Sequence, residues 1–485
     1  MKQRPFLPVL LAALALFAGP FARGDAGGPP TFNRDIAPLL FKRCAACHRP
    51  GEAAPFPLLS YRDVRKRAGQ IREAIEGRQM PPWKPAAGHG DFRDSRALSK
   101  AEIDLFARWV KAGAAEGEAA DLPAPPKFPT GWRLGKPDLV VVMPKAYTVP
   151  AAGPDVYRNF VLPMKVPAGK YVRAMEYRPS NRRVVHHALL AFDVTKKLRE
   201  RDGKDGQPGF SQSNFPGQML PGNMAFWTPG KDARPLPEGV ALRWPDGADF
   251  VLQLHLHPSG KPEQERSTVG FYLSSTPPTR SLSNFVISYK KLDIPAGEKA
   301  YRVSHEKTTP ADADVYGVFP HMHLIGKEFR AVAFLPDGTK KSLLRIDDWD
   351  FNWQGYYEYR KPVFLPKGTR VVMECRYDNS AENPSNPHQP PRRVRYGEQT
   401  DNEMAILLLH AMPRKAPAED LRQKAKEILR QYDTDGDGKL NAAELAKIPA
   451  AAKAGVAQVL KRFDRDGDGK LDVGEIEAAL RAMRK

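Results

Sequence analysis

The rhythm of apolar and polar positions divides the chain into three stretches. Within residues 31–118 it is helical. Residues 61–76 read as one helix and 99–112 as another, opened by a Ser99/Glu102 capping box. From about 138 to 412 the apolar residues form short strand-like runs between Pro/Gly turns, the pattern of an all-β body. Helical character returns after 419, where 420–431 and 475–484 flank acidic loops.

The β body carries a weak internal repeat. Val166-Pro167-Ala168-Gly169 precedes a strand with His186-His187, and Ile294-Pro295-Ala296-Gly297 precedes one with His321 and His323. Leu236-Pro237-Glu238-Gly239 and Leu365-Pro366-Lys367-Gly368 stand correspondingly before the His255 and Cys375 strands. Two consecutive β-sandwiches, 138–289 and 290–412, account for this spacing.

Those strands hold the candidate chemistry. Of eleven histidines, six fall in three pairs: His186-His187, His255-Leu256-His257 and His321-Met322-His323. Residues two apart on a strand share a face, so His321 and His323 can hold one metal ion from a rigid backbone. Adjacent His186 and His187 would need a local distortion, or different ring nitrogens, to do the same. Alternation alone allows either His255 or His257 as a companion. Met404 heads a later apolar strand, and imidazole with thioether suits copper, because soft sulfur favours the cuprous state.

Composition narrows the reading further. A chain of 485 residues exceeds one core, and 47 prolines with 38 glycines fit a turn-rich architecture. The formal charge of +19 is scattered among Pro, Asp and Glu, without a basic helix or an aromatic-basic platform, which argues against nucleic acid as a partner. Residues 1–26 read as a signal peptide: Lys2 and Arg4 precede an apolar run over 6–17, followed by small residues. A periplasmic or secreted protein without a transmembrane segment after signal removal is expected.

Three cysteines are present. Cys44-Ala45-Ala46-Cys47-His48 is the c-type haem attachment pattern, with two thiols for the vinyl groups and His48 for the iron. Met80, in a proline-stiffened loop, is the expected sixth ligand and His89 its rival. Residues 31–118 are therefore expected to form a small α-helical cytochrome c domain, joined through a linker at 119–137. Cys375 lies in a strand pattern and reads as a buried packing thiol.

At the other end, Asp433, Asp435, Asp437, Lys439, Asn441 and Glu444 fill positions one, three, five, seven, nine and twelve of an EF-hand loop. Asp464, Asp466, Asp468, Lys470, Asp472 and Glu475 repeat it. An α-helical EF-hand pair over 419–485 binding two calcium ions follows, with Lys439 and Lys470 ligating through backbone carbonyls so that their side chains play no part.

The ordered pattern HH, LQxH, HMHLIGK and T-x-x-E-M across 138–412 resembles the copper type II ascorbate-dependent monooxygenases. The resemblance implies two jelly-roll domains with one copper each. His186, His187 and His255 would hold the electron-transfer copper. His321, His323 and Met404 would hold the catalytic copper that takes dioxygen and faces the substrate. In the peptide-amidating member, three polar residues near that copper hold a carboxylate; the matching positions here are Phe319, Ile406 and Leu408, which implies a small apolar or aromatic substrate. Ascorbate or a redox partner protein would supply electrons, with the haem as relay. The competing expectation is a non-catalytic copper and haem electron-transfer or copper-binding protein.

Overall fold

The computed structural model describes residues 28–212, 217–397, 399–414 and 421–482. The expected signal peptide, 1–26, lies outside them. Strands dominate, with helices concentrated towards the two ends. Among the described residues, no helix is long and apolar enough to cross a membrane.

The chain divides into two compact units. The smaller takes most of the N-terminal helical region. Its helices Ala37–Arg43, Tyr61–Arg65, Ala68–Glu76 and Lys100–Lys111 enclose Phe32, Ile36, Leu40, Phe106 and Trp109. The Ser99/Glu102 capping box forms, with each side chain reaching the other's backbone amide. The single helix expected over 61–76 is instead two, because Arg67 leaves helical geometry between them.

The boundary of this unit departs from expectation. Residues 82–96, read within 31–118, belong to the larger unit. There Ala86 N–H donates to the Arg345 carbonyl at 2.8 Å, and Arg93 N–H to that of Glu358 at 2.8 Å. Phe92 stacks on Tyr359 at 5.0 Å and enters the β core. His89, the rival haem ligand, faces Ser342 at 2.9 Å in this unit instead.

Two β bodies follow, each with antiparallel sheets sharing one apolar core. In the first, Val156–Leu162, Asp249–Leu256 and Val185–Asp193 lie side by side in a six-stranded sheet. Phe160, Leu190, Leu252 and Leu254 from this sheet share a core with Val172, Met175 and Phe271 of a three-stranded sheet. In the second, four strands ordered Ser283–Ser288, Ile406–Pro413, Ala313–His321 and Tyr357–Leu365 face another four-stranded sheet. Leu407, Leu409 and Val315 meet Phe329, Met373 and Cys375 between them. Cys375 is a buried packing residue there, and burial pushes its thiol pKa up. The Ser283–Ser288 strand, expected in 138–289, pairs instead with Ile406–Pro413.

The repeated Pro-x-Gly turns share one geometry. In all four, the residue after glycine donates its amide to the proline carbonyl, at 3.0–3.4 Å. Gly169, Gly239, Gly297 and Gly368 each take φ between 72° and 83°, a range open to glycine at no steric cost.

The C-terminal helices from Leu421–Tyr432 to Val473–Ala482 pack around Leu429, Leu445, Val459 and Ile476. The two acidic loops are joined by reciprocal Leu440–Leu471 backbone hydrogen bonds of 2.9 Å.

Candidate metal centre

The first trio assembles on neighbouring strands. His187 pairs in register with His255, and the ladder slips by one residue between Val185 and His187. That bulge is the distortion an adjacent histidine pair requires, since it turns His186 and His187 towards one point. Nδ1 of His255 lies 3.1 Å from Nδ1 of His186 and 3.2 Å from Nδ1 of His187. An acceptor nitrogen of imidazole has one in-plane lone pair and cannot serve two such neighbours at once, whereas three converging imidazoles suit a metal ion. Asp155 accepts from Nε2 of His255 at 2.6 Å, fixing its tautomer. His257 is exposed and bonds to the other Asp155 oxygen at 2.7 Å, outside the cluster.

The second group sits where the Ala313–His321 strand ends beside Ile406–Pro413. His321 pairs with Ile406, which brings Met404, two residues earlier, to the same end. The His321 and His323 rings are 5.0 Å apart and nearly perpendicular. Gln354 holds Nδ1 of His321 at 2.7 Å, and the Asn402 carbonyl holds Nδ1 of His323 at 3.1 Å. Gripping Nδ1 makes Nε2 the natural ligand atom of each ring. Buried Glu403 accepts the amides of His323, Ile325 and Met404 at 2.8, 3.0 and 3.0 Å. Burial raises its pKa to about 8 against the pull of those amides.

Burial also keeps His186, His187, His321 and His323 neutral, the form that binds metal. It lowers His186 to about 4 and His323 to about 3, and pulls His187 and His321 down as well.

Both groups open onto one cavity of about 400 Å³. His186 and His187 line one part of its wall, and His321, His323 and Met404 another. Phe319, Ile406 and Leu408 line it too, as do Phe226 and Tyr356. Sequence reasoning missed the segment between the groups. Trp353 meets His186 edge-on at 5.9 Å, and Phe351 meets His323 at 5.9 Å. Asp350 starts this short turn by accepting the Asn352 amide at 2.9 Å. The aromatic run Phe351-Asn352-Trp353-Gln354-Gly355-Tyr356-Tyr357 was the available signal.

In the helical unit, Cys44 follows the Ala37–Arg43 helix, and His48 N–H returns to the Cys44 carbonyl at 2.9 Å. Nδ1 of His48 meets the Phe56 carbonyl at 3.0 Å, leaving Nε2 for an axial bond. No disulfide joins Cys44 to Cys47. Met80 remains exposed.

In the acidic loops, Asp433, Asp435 and Glu444 converge, as do Asp464, Asp466 and Glu475. Lys439 and Lys470, expected to act only through their backbones, reach across to the opposite loop. Lys439 pairs with Asp466 at 3.0 Å and also with Asp468, and Lys470 pairs with Asp437.

An EF hand family model matches residues 425–449 and 456–480. DBH-like monooxygenase protein 1 of Mus musculus is 35% identical over 69 residues, 14% of this chain and 11% of that protein. Its Homo sapiens counterpart is 32% identical over 73 residues, 15% and 12% respectively. The chain thus matches little more than a tenth of the length of these relatives. The major capsid protein P2 of bacteriophage PM2 is similar at a TM-score of 0.23 and 12% identity, over 55% of this chain and 99% of that one. That level of likeness carries no argument.

Proposed function

We propose that this chain is an exported copper-dependent monooxygenase that hydroxylates a C–H bond of a small molecule with an apolar or aromatic body. The reaction takes one dioxygen, two electrons and two protons, and yields the alcohol and water. The observation that carries the reading is the single cavity walled by both histidine groups and Met404. The local similarity to DBH-like monooxygenase proteins supports it.

His186, His187 and His255 would hold one copper, and His321, His323 and Met404 the other. Copper there supplies one-electron redox chemistry and a place for dioxygen. The protein's part is preorganisation. Gln354 and the Asn402 carbonyl orient two rings, and Asp155 orients a third. Phe226 stacks on Phe319 at 4.3 Å, and Phe319 on His321 at 6.1 Å, forming an aromatic wall that ends at the second group. Such a wall keeps water from the reacting carbon and holds an apolar body against it.

Cys44, Cys47 and His48 would carry a covalent haem c, with Met80 as sixth ligand, passing electrons from ascorbate or a redox protein towards the His186/His187/His255 copper. Two calcium ions in the EF-hand pair would have a structural role. The deciding experiment incubates copper-loaded, full-length protein with a reductant and a substrate library under isotopically labelled dioxygen. Mass spectrometry should find one labelled oxygen per product. Two bound coppers with no oxygen-dependent product would assign the chain to electron transfer instead.

A further inference from the structure

Both metal groups lean on one short segment, residues 349–354. Its two ends serve the second group. The Trp349 indole N–H donates to the His323 carbonyl at 3.1 Å, and the Gln354 side-chain oxygen meets Nδ1 of His321 at 2.7 Å. Phe351 adds an edge-on contact to the His323 ring at 5.9 Å. Its middle serves the first group. Trp353 meets the His186 ring edge-on at 5.9 Å, and the Asn352 backbone carbonyl accepts a hydrogen bond from that ring. Trp353 and Gln354 are consecutive, so one peptide bond separates a contact with His186 from a hydrogen bond to His321.

The segment is built to pass a constraint on. Trp349 is buried in the β core, and its amide donates to the Lys327 carbonyl at 2.9 Å. Asp350 closes the turn twice: its side chain takes the Asn352 amide at 2.9 Å, and its carbonyl takes the Trp353 amide at 3.0 Å. A metal ion at the first group fixes the His186 ring, and with it the face against which Trp353 packs. The turn is then held where Gln354 presents its oxygen to His321. Its ordering is charged to the first ion, and the second binds a ring already oriented. Direct electrostatics acts the other way, because two cations facing one cavity repel. The sign of the linkage therefore separates the two causes.

We propose that Trp353 and Gln354 are positioning residues that link the two groups, so that copper held by His186, His187 and His255 tightens binding by His321, His323 and Met404. This deepens the proposed function and rests on its reading of both groups as copper sites. By thermodynamic reciprocity the second ion tightens the first by the same factor. Linkage of this sign makes the two one-electron centres fill together. A half-loaded protein, able to supply only one of the two electrons the reaction takes, is then less populated than independent sites would make it.

The test is cuprous binding to full-length protein by chelator competition, with the metal as the only probe. His187→Ala with His255→Ala leaves the second group to bind alone, and His323→Ala with Met404→Ala leaves the first. The wild type's total affinity for two ions should exceed the product of these separate affinities by about fivefold or more. Trp353→Ala or Gln354→Leu, carried through the same three proteins, should bring that ratio to about one, whereas Trp353→Phe and Gln354→Glu should keep most of the excess. A second readout leaves the turn intact. With His323→Ala and Met404→Ala in place, an ion at the first group should slow amide hydrogen exchange across residues 350–355. A wild-type ratio of one or below overturns the proposal, as does an excess that survives both Trp353→Ala and Gln354→Leu. If neither variant folds, unchanged exchange across 350–355 overturns it. Linked binding without oxygen-dependent product would end the monooxygenase reading alone, and product from protein whose sites fill independently would end this one alone.

Discussion

The carboxyl group of Glu403 takes the backbone amide of His323 at 2.8 Å. It also takes the amides of Ile325 and Met404, so one buried side chain ties the histidine turn to the methionine strand. Glu403→Ala would leave three buried amides without their partner. At roughly 1–3 kcal/mol for each unsatisfied group, the loss of stability should be at least about 3 kcal/mol. Denaturant unfolding measures it. In copper-loaded protein, cuprous affinity at the His321 site should fall more than at the His186 site. An equal fall at both sites would show that Glu403 serves the fold and not the site.

Asp155 plays the corresponding part at the first trio through Nε2 of His255. Asp155→Asn keeps the shape and removes the charge that fixes the ring. Outer-shell partners of this kind change metal affinity by about 10–100-fold. Chelator competition should find that loss at one copper of two. His257→Ala, which touches only the far Asp155 oxygen, should cost much less. If His257→Ala empties the site and His255→Ala does not, the assignment of the two histidines is reversed.

The histidine pairs were legible because two imidazoles in a short apolar run are chemically conspicuous and strand alternation gives their direction. The bulge at His186 was legible only as a need, since a register slip is set by the partner strand. Glu403 and the Phe351–Trp353 turn gave no periodic signal. Their roles arise from neighbours many positions away: His323 for Glu403 and His186 for Trp353. Residues 82–96 were misplaced for the same reason. Their backbone partners, Arg345 and Glu358, lie about 260 positions later, so nothing local announces the pairing.

His410 makes acid stability a specific test. Its pKa is lowered by burial to about 3, while the unfolded chain titrates near the ordinary value of about 6.5. A histidine depressed in the folded state takes up protons on unfolding, so stability is full above about pH 6.5 and falls as pH drops towards the folded value. Between pH 7 and pH 5 this one residue should cost about 2 kcal/mol. The other buried histidines contribute to the same slope, so the measurement is the difference between wild type and His410→Phe in metal-free protein. A variant with an unchanged acid slope would mean that His410 finds a proton acceptor in solution.

The haem assignment is tested separately from turnover. Cys44 and Cys47 flank a turn closed by His48, and the Phe56 carbonyl fixes the imidazole. Protein made with c-type haem maturation should carry haem that survives denaturation. Cys44→Ser with Cys47→Ser should lose it, and His48→Ala should keep the thioether links but alter the iron spectrum. Met80→Ala should abolish the thioether-to-iron charge-transfer band. Persistence of that band would move the sixth ligand to another methionine.

Lys439 and Lys470 give the EF-hand pair a measurable signature. Each ammonium lies against carboxylates of the opposite loop, Asp466 and Asp468 for one and Asp437 for the other, where a calcium ion would place its own charge. A cation so placed partly neutralises the charge that attracts calcium, and these pairs must loosen when the ion enters. Lys439→Met with Lys470→Met should therefore bind calcium more tightly, while the calcium-free protein loses two cross-loop links. Calorimetry with calcium alone reads the first effect. The second appears as a larger calcium-induced rise in the unfolding temperature, since a ligand stabilises in proportion to the logarithm of its occupancy excess. Glu444→Gln with Glu475→Gln should remove the rise, because these carboxylates close both clusters. If the lysine variant binds calcium no better than wild type, the cross-loop pairs are solvent-screened surface contacts, and the two loops fill independently of them.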